Sequence, residues 1–512
     1  MVRADRQAGA VETHSATVFF LGDHAYKVKK PVDLGFLDFQ RREARETACH
    51  REVALNRRLA PDVYEGVADV RGPDGALCDH LVVMRRMPTD RRLSTLVRGG
   101  APVEEHLRHI AHQIATLHAG SPRSAAADEA AGREATHQRW SENTDALIAH
   151  AGPIFDEAVV ALVHGLAARY LDGRAPLFEQ RVSEGAGVDG HGDLLADDIF
   201  CLPDGPRILD CMDFDDQLRL GDGLADVAFL AMDLDHLGRP DLARKFLDAY
   251  GDDRGDAWPP SLAHHQMAYR AQVRAKVRAI RADQGDREAA AEARELLDLA
   301  LAHLEAGRVR LVLVGGLPGT GKSTVAAAIS DALPATLLRS DEIRKEGTDA
   351  GAASVGPVAY GEGRYTPTAV DEIYRVMLDR AEIALSLGET VVLDASWSSS
   401  RWRDDARAMA DRTHADLVEL RCTLPEGLAE QRLQNRTVAA LDPSDATPEI
   451  ARIMAAHTDP WPEAHVVPTA GAVVATVEAA MVWVRHESPH GKRTTSGTRH
   501  SNTVPEVAPA ES

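Results

Sequence analysis

The sequence predicts two folds in one chain: an α+β bilobal half followed by an α/β half built on a parallel sheet. Three observations carry this. Strand-like alternation crowds residues 1–95 and helical periodicity fills 96–305. From Val309 short apolar strands alternate with helices, the pattern of a parallel sheet covered on both faces. Two phosphate-type motifs sit far apart, His191-Gly-Asp193 in the first half and Gly316-Leu-Pro-Gly-Thr-Gly-Lys322-Ser323 in the second. A chain of 512 residues also exceeds what one core supports. The expected divisions are a strand-rich lobe at 1–95, a helical lobe at 96–305, an α/β domain at 306–486, and a tail at 487–512 too poor in apolar residues to fold.

Composition excludes several classes. Lys and Arg number 58 against 79 Asp and Glu, a net charge of −21, which disfavours long nucleic acid and anionic membranes as partners. The five cysteines are scattered and never in C-x-x-C spacing, so no disulfide framework or zinc site is indicated. No apolar stretch approaches the roughly 18 residues of a membrane span, and the N-terminus lacks a signal-type apolar segment. A cytoplasmic protein is expected, with no inferable protein partner.

In order along the chain, Ser15 to Val32 reads as a hairpin turning at Asp23-His24, followed by a helix from Arg42 to Leu59. Strands are expected near Val67–Val70 and His80–Met87, separated by the turn-rich Arg71–Gly75. Ala111–His118 reads as an amphipathic helix and Ser121–Gln138 as a loop. After His191-Gly-Asp193 come a strand at Ile199–Leu202, a turn at Pro203–Pro206 and a strand over Arg207–Phe214, then helices from Leu224 to Leu304. The second half offers a strand before Gly316 and further strands at Ala335–Leu338, Thr390–Leu393 and Asp416–Cys422.

Gly316-x4-Gly321-Lys322-Ser323 has Walker A spacing, between an apolar strand and a helix. In such a loop glycines let backbone N–H groups curl around phosphate oxygens, the lysine reaches the β and γ phosphates, and the hydroxyl meets Mg²⁺. Gly316, Gly319, Thr320, Gly321, Lys322, Ser323 and Thr324 are therefore the candidate ATP-binding residues. Arg339-Ser-Asp341-Glu-Ile-Arg344 begins where the next strand ends, the side of an open sheet that faces ligand. There Asp341 would accept a hydroxyl proton and Arg344 grip an anionic substrate; the plain alternative is an N-cap with solvated charges. Asp394 ends a third apolar strand as a Mg²⁺-side carboxylate, and Arg432 and Arg436 share a helix face as a phosphate lid or a solvated surface.

From Val309 to Trp483 these motifs (GGLPGTGKST, RSDEIR, VVLDAS and the arginine pair) resemble the small-molecule and polynucleotide-kinase branch of P-loop NTPases, with gluconate-kinase-like and zeta-toxin-like members. The resemblance implies phosphoryl transfer from ATP to a hydroxyl, with Asp341 as the base.

The first half offers, in order, the parts a protein-kinase-type site needs. Lys27 and Lys29 share one strand face by the period of two, leaving either as the phosphate lysine; Glu52 is its helix partner. Asp193 is the catalytic carboxylate. Metal ligation falls to Asp198 and Asp213, with Asp210 a near rival. THSATVFF, AYKVKKPVDLGFLDF, REVALNRRLAPDVY, HGD, RILDCMDF and LADVAFLAMDL resemble the aminoglycoside phosphotransferase family over residues 10–305, implying a bilobal protein-kinase-like domain. With the second half, the chain resembles bacterial two-domain aminoglycoside phosphotransferase-like/ATP-binding proteins. In that resemblance Asp226 is a structural carboxylate bonded to the catalytic loop. Two positions depart from the family pattern: Leu195 replaces a histidine and Asp198 an asparagine.

The expected activity is ATP- and Mg²⁺-dependent transfer to hydroxyls of small molecules, in both halves. The rival is a nucleotide-dependent sensor whose kinase-like half binds without turnover. Tyr269-Arg270-x3-Arg274-x3-Arg278 puts three arginines on one helix face: lining the site it would favour an anionic or neutral acceptor, otherwise it is a solvated stripe.

Overall fold

The computed structural model describes residues 9–12, 15–33, 38–346, 366–439 and 448–486. The predicted tail, 487–512, lies outside them. Near the start, β1 (Gly9–Glu12), which the sequence pattern did not reveal, pairs antiparallel with β2 (Ala16–Leu21). The expected hairpin joins β2 to β3 (His24–Lys29), from Ala16 opposite Lys29 to Leu21 opposite His24. With β4 (Tyr64–Arg71) and β5 (Leu77–Arg85) they form an antiparallel sheet of order β1-β2-β3-β5-β4. The helix Arg42–Asn56 packs on it, burying Cys49, Glu52 and Val53. That small core continues into Phe200 and Leu209 of the next lobe, so the two lobes share apolar contact.

The second lobe is helical around two short ribbons, β6 (Gly187–Asp189) with β9 (Leu220–Asp222) and β7 (Ile199–Leu202) with β8 (Gly205–Ile208). Two expectations fail here. Ser121–Gln138 is not a loop: helices run Ala125–Ala131 and from Arg133 to Ile148. Alanine favours helix, the Ser124 hydroxyl caps by accepting from Ala127 N at 3.1 Å, and Ala127, Ala130 and Ala131 are buried. The strand expected over Arg207–Phe214 stops at Ile208, because the backbone turns left-handed at Asp210 with φ 62°.

The α/β half has order β11-β12-β10-β13-β14, with β10 (Arg310–Gly315), β11 (Ala335–Arg339), β12 (Thr390–Asp394), β13 (Asp416–Thr423) and β14 (His465–Pro468). Every pairing is parallel, as expected; the short edge strand β14, ending in proline, had no clear sequence signal. One face of the sheet carries Val312, Val314, Val392 and Leu420 against Val325, Ile329 and Met481. The other, through Leu311, Leu313, Val391 and Leu393, joins the apolar cluster of the helical lobe. Polar ties span the same junction: Arg169 Nη2 donates to Ala415 O at 3.0 Å, Arg174 Nη1 to Thr413 O at 2.5 Å, and Ser261 Oγ to Gly388 O at 2.7 Å. Gly173 allows the approach, since a Cβ there would sit 2.2 Å from Thr413 O.

At this junction His265 is 1% exposed and stacks on Tyr170 at 4.6 Å. Burial pushes its imidazole from 6.5 down to about 3. The native state keeps it neutral while the unfolded chain protonates it, so its contribution is full above pH 6.5 and is lost progressively as pH falls towards 3. Between pH 7 and pH 5 about 2 kcal/mol should disappear. Thermal unfolding of wild type and His265→Phe at both pH values tests this: the acid-induced drop should be smaller in the variant, and equal drops would refute it.

Candidate active sites

In the first half the sheet and one helix build a charged cluster. Lys27 and Lys29 project from β3 towards the helix Arg42–Asn56, where Glu52 waits with its side chain 1% exposed. Lys27 Nζ lies 2.8 Å from Glu52 Oε1 and 2.7 Å from Asp210 Oδ1. Lys29 Nζ lies 2.8 Å from Glu52 Oε2 and 2.6 Å from Asp213 Oδ2. The lysines thus divide one carboxylate between them and differ in their third partner. Burial opposes the charge on Lys27, but Asp210 and Glu52 outweigh it and hold its ammonium well above the ordinary range.

The same helix orients the loop opposite. Asn56 Oδ1 accepts Cys211 N at 2.9 Å, and Tyr64 hydroxyl accepts Asp210 N at 3.2 Å, fixing the left-handed turn. The His191-Gly-Asp193 loop hangs from Asp226, which accepts His191 N at 2.8 Å, Gly192 N at 2.7 Å and a bond to His118 Nε2 at 3.0 Å. Despite burial, those partners hold the Asp226 carboxyl far below its usual range. This is the structural role the resemblance implied. Asp226→Asn puts an amide N–H among donors, and about 2–3 kcal/mol should be lost. The thermal midpoint of the first half should fall by several degrees; an unchanged midpoint would contradict the arrangement.

Asp193 is pushed up to about 6, first by burial and also by Asp210, while Arg274 pulls it down. Asp198 is raised well above the carboxylate range by burial, then by Asp210 and Asp193. The carboxylate whose charge acts on both Asp193 and Asp198 is Asp210, the near rival, whereas Asp213 is bonded to Lys29. Among the described residues no three His, Cys, Asp or Glu side chains cage a metal unaided. Mg²⁺ takes few protein ligands and completes its shell with phosphate oxygens and water, and mutually repelling carboxylates such as Asp198 and Asp210 fit it. Leu195 is buried in the apolar core, so no imidazole stands where the family pattern has one.

In the second half Gly316, Gly319 and Gly321 have φ of 145°, 83° and 85°. A Cβ at Gly316 would come within 2.7 Å of Cys422 O, and one at Gly319 within 2.8 Å of Ala429 O, so the loop is clamped beneath β13 and the helix Glu426–Ala439. The helix Lys322–Ala332 starts at the lysine, aiming its N-terminus at the loop. Asp394, at the end of β12 and 4% exposed, is raised by burial against the pull of Lys322 and Ser323. Its Oδ1 has no hydrogen-bond partner among the described residues, and Oδ2 accepts Arg339 Nε at 3.4 Å. A buried, orphaned carboxylate oxygen beside the Ser323 hydroxyl fits a Mg²⁺ shell.

Asp341 and Arg344, in the helix Ser340–Glu346, are paired directly with each other. Both lie in the electrostatic field of Tyr374, whose hydroxyl contacts Ser396 Oγ at 3.2 Å and accepts Trp397 N at 3.1 Å. Sequence reasoning missed Tyr374, Ser396 and Arg339; a tyrosine on an amphipathic helix and an arginine closing a strand carry no local signal. Arg432 Nη2 donates to Thr469 O at 2.9 Å and, with Gly319, Gly321, Thr324 and Thr476, borders a cavity of about 210 Å³ beside the loop. Arg436 lies on the same helix, but its side chain is outside the described residues.

Fold and sites together define a two-domain chain, a bilobal α+β half joined to an α/β half that carries a P-loop. Residues 311–460 match the AAA domain family. The chain is 42% identical over 460 residues to the proteins Rv2004c of Mycobacterium tuberculosis (strain ATCC 25618 / H37Rv) and Mb2027c of Mycobacterium bovis, spanning 90% of its own length and 92% of theirs, and it belongs to their family. Among solved structures it is similar to a choline/ethanolamine kinase family protein from Mesorhizobium loti, with 15% identity over 58% of this chain and 92% of that one and a TM-score of 0.34. It is also similar to a gluconokinase from Sinorhizobium meliloti 1021, with 20% identity over 34% of this chain and 91% of that one and a TM-score of 0.25. Among the described residues no helix is long and apolar enough to cross a membrane.

Proposed function

We propose that the protein is a bifunctional ATP-dependent phosphotransferase, each half moving the γ-phosphoryl group of ATP to a hydroxyl of a small molecule. The observation that carries this reading is that each half sets a cation for phosphate beside carboxylates: Lys27 bonds the buried Glu52 and also Asp210, whose charge acts on Asp193, and Lys322 acts on the buried Asp394. In each transfer the bond from the γ-phosphorus to the β–γ bridging oxygen breaks and one to the acceptor oxygen forms. The acceptor proton passes to Asp193 in the first half and to Asp341 in the second. Lys27 and Lys322 hold the phosphates, and Arg344 and Arg432 supply further positive charge in the P-loop half. Mg²⁺, held by Asp198 and Asp210 in one half and by Ser323 and Asp394 in the other, would offset charge on the phosphate oxygens.

A second reading, a ligand sensor in which only the P-loop half turns over ATP, is favoured by Leu195 and by the carboxylate Asp198 in place of an amide. Mass spectrometry of a metabolite extract incubated with ATP, Mg²⁺ and the full chain separates the two. A phosphorylated product lost in Asp193→Ala but kept in Lys322→Ala supports transfer by the first half; the reverse pattern places chemistry in the P-loop half. ADP release without any phosphorylated product supports the sensor.

A further inference from the structure

Arg219, which follows the short turn Asp216–Leu218, is buried behind the two loops that carry the acids of the first site. Its Nε donates at 2.8 Å to Asp189 Oδ1, on the strand that leads into His191-Gly-Asp193. Its Nη1 donates at 2.9 Å to Met212 O, between Asp210 and Asp213. Its Nη2 bonds Asp216, which also takes Arg51, the neighbour of Glu52 on the helix Arg42–Asn56. Every guanidinium nitrogen thus serves a different part of the site: the catalytic loop, the metal-side loop and, through Asp216, the helix that orients the lysines.

The backbone meets at the same place. Gly190 N donates to Arg219 O at 3.0 Å, and Met212 N to His191 O at 3.0 Å. Gly192, with φ 86°, lets the loops close, since a Cβ there would lie 2.9 Å from Met212 Cβ and 3.1 Å from Arg219 Cγ. Arg58, just past the end of the helix, backs the junction: its Nη2 donates to Gly190 O at 2.9 Å and to Cys211 Sγ at 3.2 Å, and its Nη1 lies 3.7 Å from Asp189 Oδ2. An exposed ion pair contributes little, but the Arg219 side chain is 4% exposed, and Asp189 and Asp216 keep it charged against its burial. On the other side of the junction Asp193, Asp198 and Asp210 repel one another. That repulsion drives the loops apart, so a brace behind them must hold the gap at which a cation fits.

We propose that Arg219 is a positioning residue of the first site: it fixes the spacing of Asp193 and Asp210, sets by that spacing the affinity for Mg²⁺ with nucleotide, and couples both loops through Asp216 and Arg51 to the helix that carries Glu52. The inference rests on the first half binding ATP with Mg²⁺ at Asp198 and Asp210. Groups standing behind metal ligands change metal affinity or activity about 10- to 100-fold when removed, and a displacement of about 1 Å at a transfer site costs about 100-fold in rate.

The test is calorimetric titration of a non-hydrolysable ATP analogue into the full chain carrying Lys322→Ala, with Mg²⁺ and with EDTA, beside thermal unfolding. Lys27→Ala in that background identifies the signal of the first half. In Arg219→Gln the gain in affinity that Mg²⁺ brings should shrink about 10-fold or more. Arg219→Lys keeps the charge but not the fork, so it should recover thermal stability more than the Mg²⁺ response. Asp216→Ala removes a largely exposed carboxylate, carries little risk to folding, and should shift the Mg²⁺ response in the same direction. A lower thermal midpoint in Arg219→Gln with a full Mg²⁺ response, measured where the variant is folded, would overturn the proposal and leave Arg219 a structural brace. Should Arg219→Gln not fold, an unchanged Mg²⁺ response in Asp216→Ala would overturn it. A parent chain without Lys27-dependent binding would remove the reading of the first half, and the proposal with it. Mg²⁺-dependent binding that follows these variants without any Asp193-dependent phosphorylated product would remove transfer alone and leave the role of Arg219 standing.

Discussion

Lys322→Ala should lower acceptor-dependent ADP formation by the P-loop half about 100- to 1000-fold, the scale on which removing one preorganised charge from a transfer site acts. The reason is geometric. The loop is clamped, with no room for a Cβ at Gly316 or Gly319, so it cannot rearrange to recruit another cation in place of the lysine. The arginines nearby are already committed: Arg339 to Asp394 and Glu342, Arg344 to Asp341, and Arg432 to Thr469 O. Lys322→Arg should restore little, because a planar fork does not fit a cradle that receives a compact ammonium. Turnover should be measured in wild type, Lys322→Ala, Asp193→Ala and the double variant. Retention of more than a tenth of wild-type activity in Lys322→Ala in the Asp193→Ala background would contradict the assignment of chemistry to this loop.

The α/β half was largely legible because its signals are local. Leu311-Val-Leu-Val reads as a fully buried strand, and the glycines after it occupy positive-φ positions that few other residues tolerate. What stayed hidden depended on neighbours distant in sequence. Lys27 and Lys29 look equivalent on an alternating strand, and only Asp210 and Asp213, more than 180 residues away, tell them apart. The preference for Asp213 over Asp210 rests on its Asp-Phe ending, a local resemblance that cannot show that Asp210 bonds Lys27 and Asp213 bonds Lys29. Ser121–Gln138 looked like a loop because alanine gives no amphipathic contrast, yet three of those alanines are buried. The arginines at 270, 274 and 278 show the same limit: on one period Arg270 donates to Ala225 O, Arg278 pairs with Glu292, and Arg274 acts electrostatically on Asp193.

Lys27→Ala and Lys29→Ala should have different consequences although the two side chains share Glu52. Lys27 also bonds Asp210, and Asp210 is the carboxylate that acts on both Asp193 and Asp198. Lys27 therefore stands on the side of the cluster where phosphate and metal would meet, and its loss should reduce transfer by the first half about 100-fold or more. Glu52 would keep Lys29, so folding should be little changed. Lys29 is 4% exposed and bonds Asp213, whose own side chain is 16% exposed. Removing Lys29 breaks a buried pair and leaves Asp213 without its cation, a loss on the order of 3–5 kcal/mol that should appear as a lower thermal midpoint before any effect on turnover at low temperature. Thermal unfolding and acceptor-dependent ADP release, both in the Lys322→Ala background, decide between the roles. If Lys29→Ala abolishes turnover in a chain of normal stability while Lys27→Ala remains active, the phosphate lysine is Lys29, and the metal-side carboxylate must be sought at Asp213 rather than Asp210.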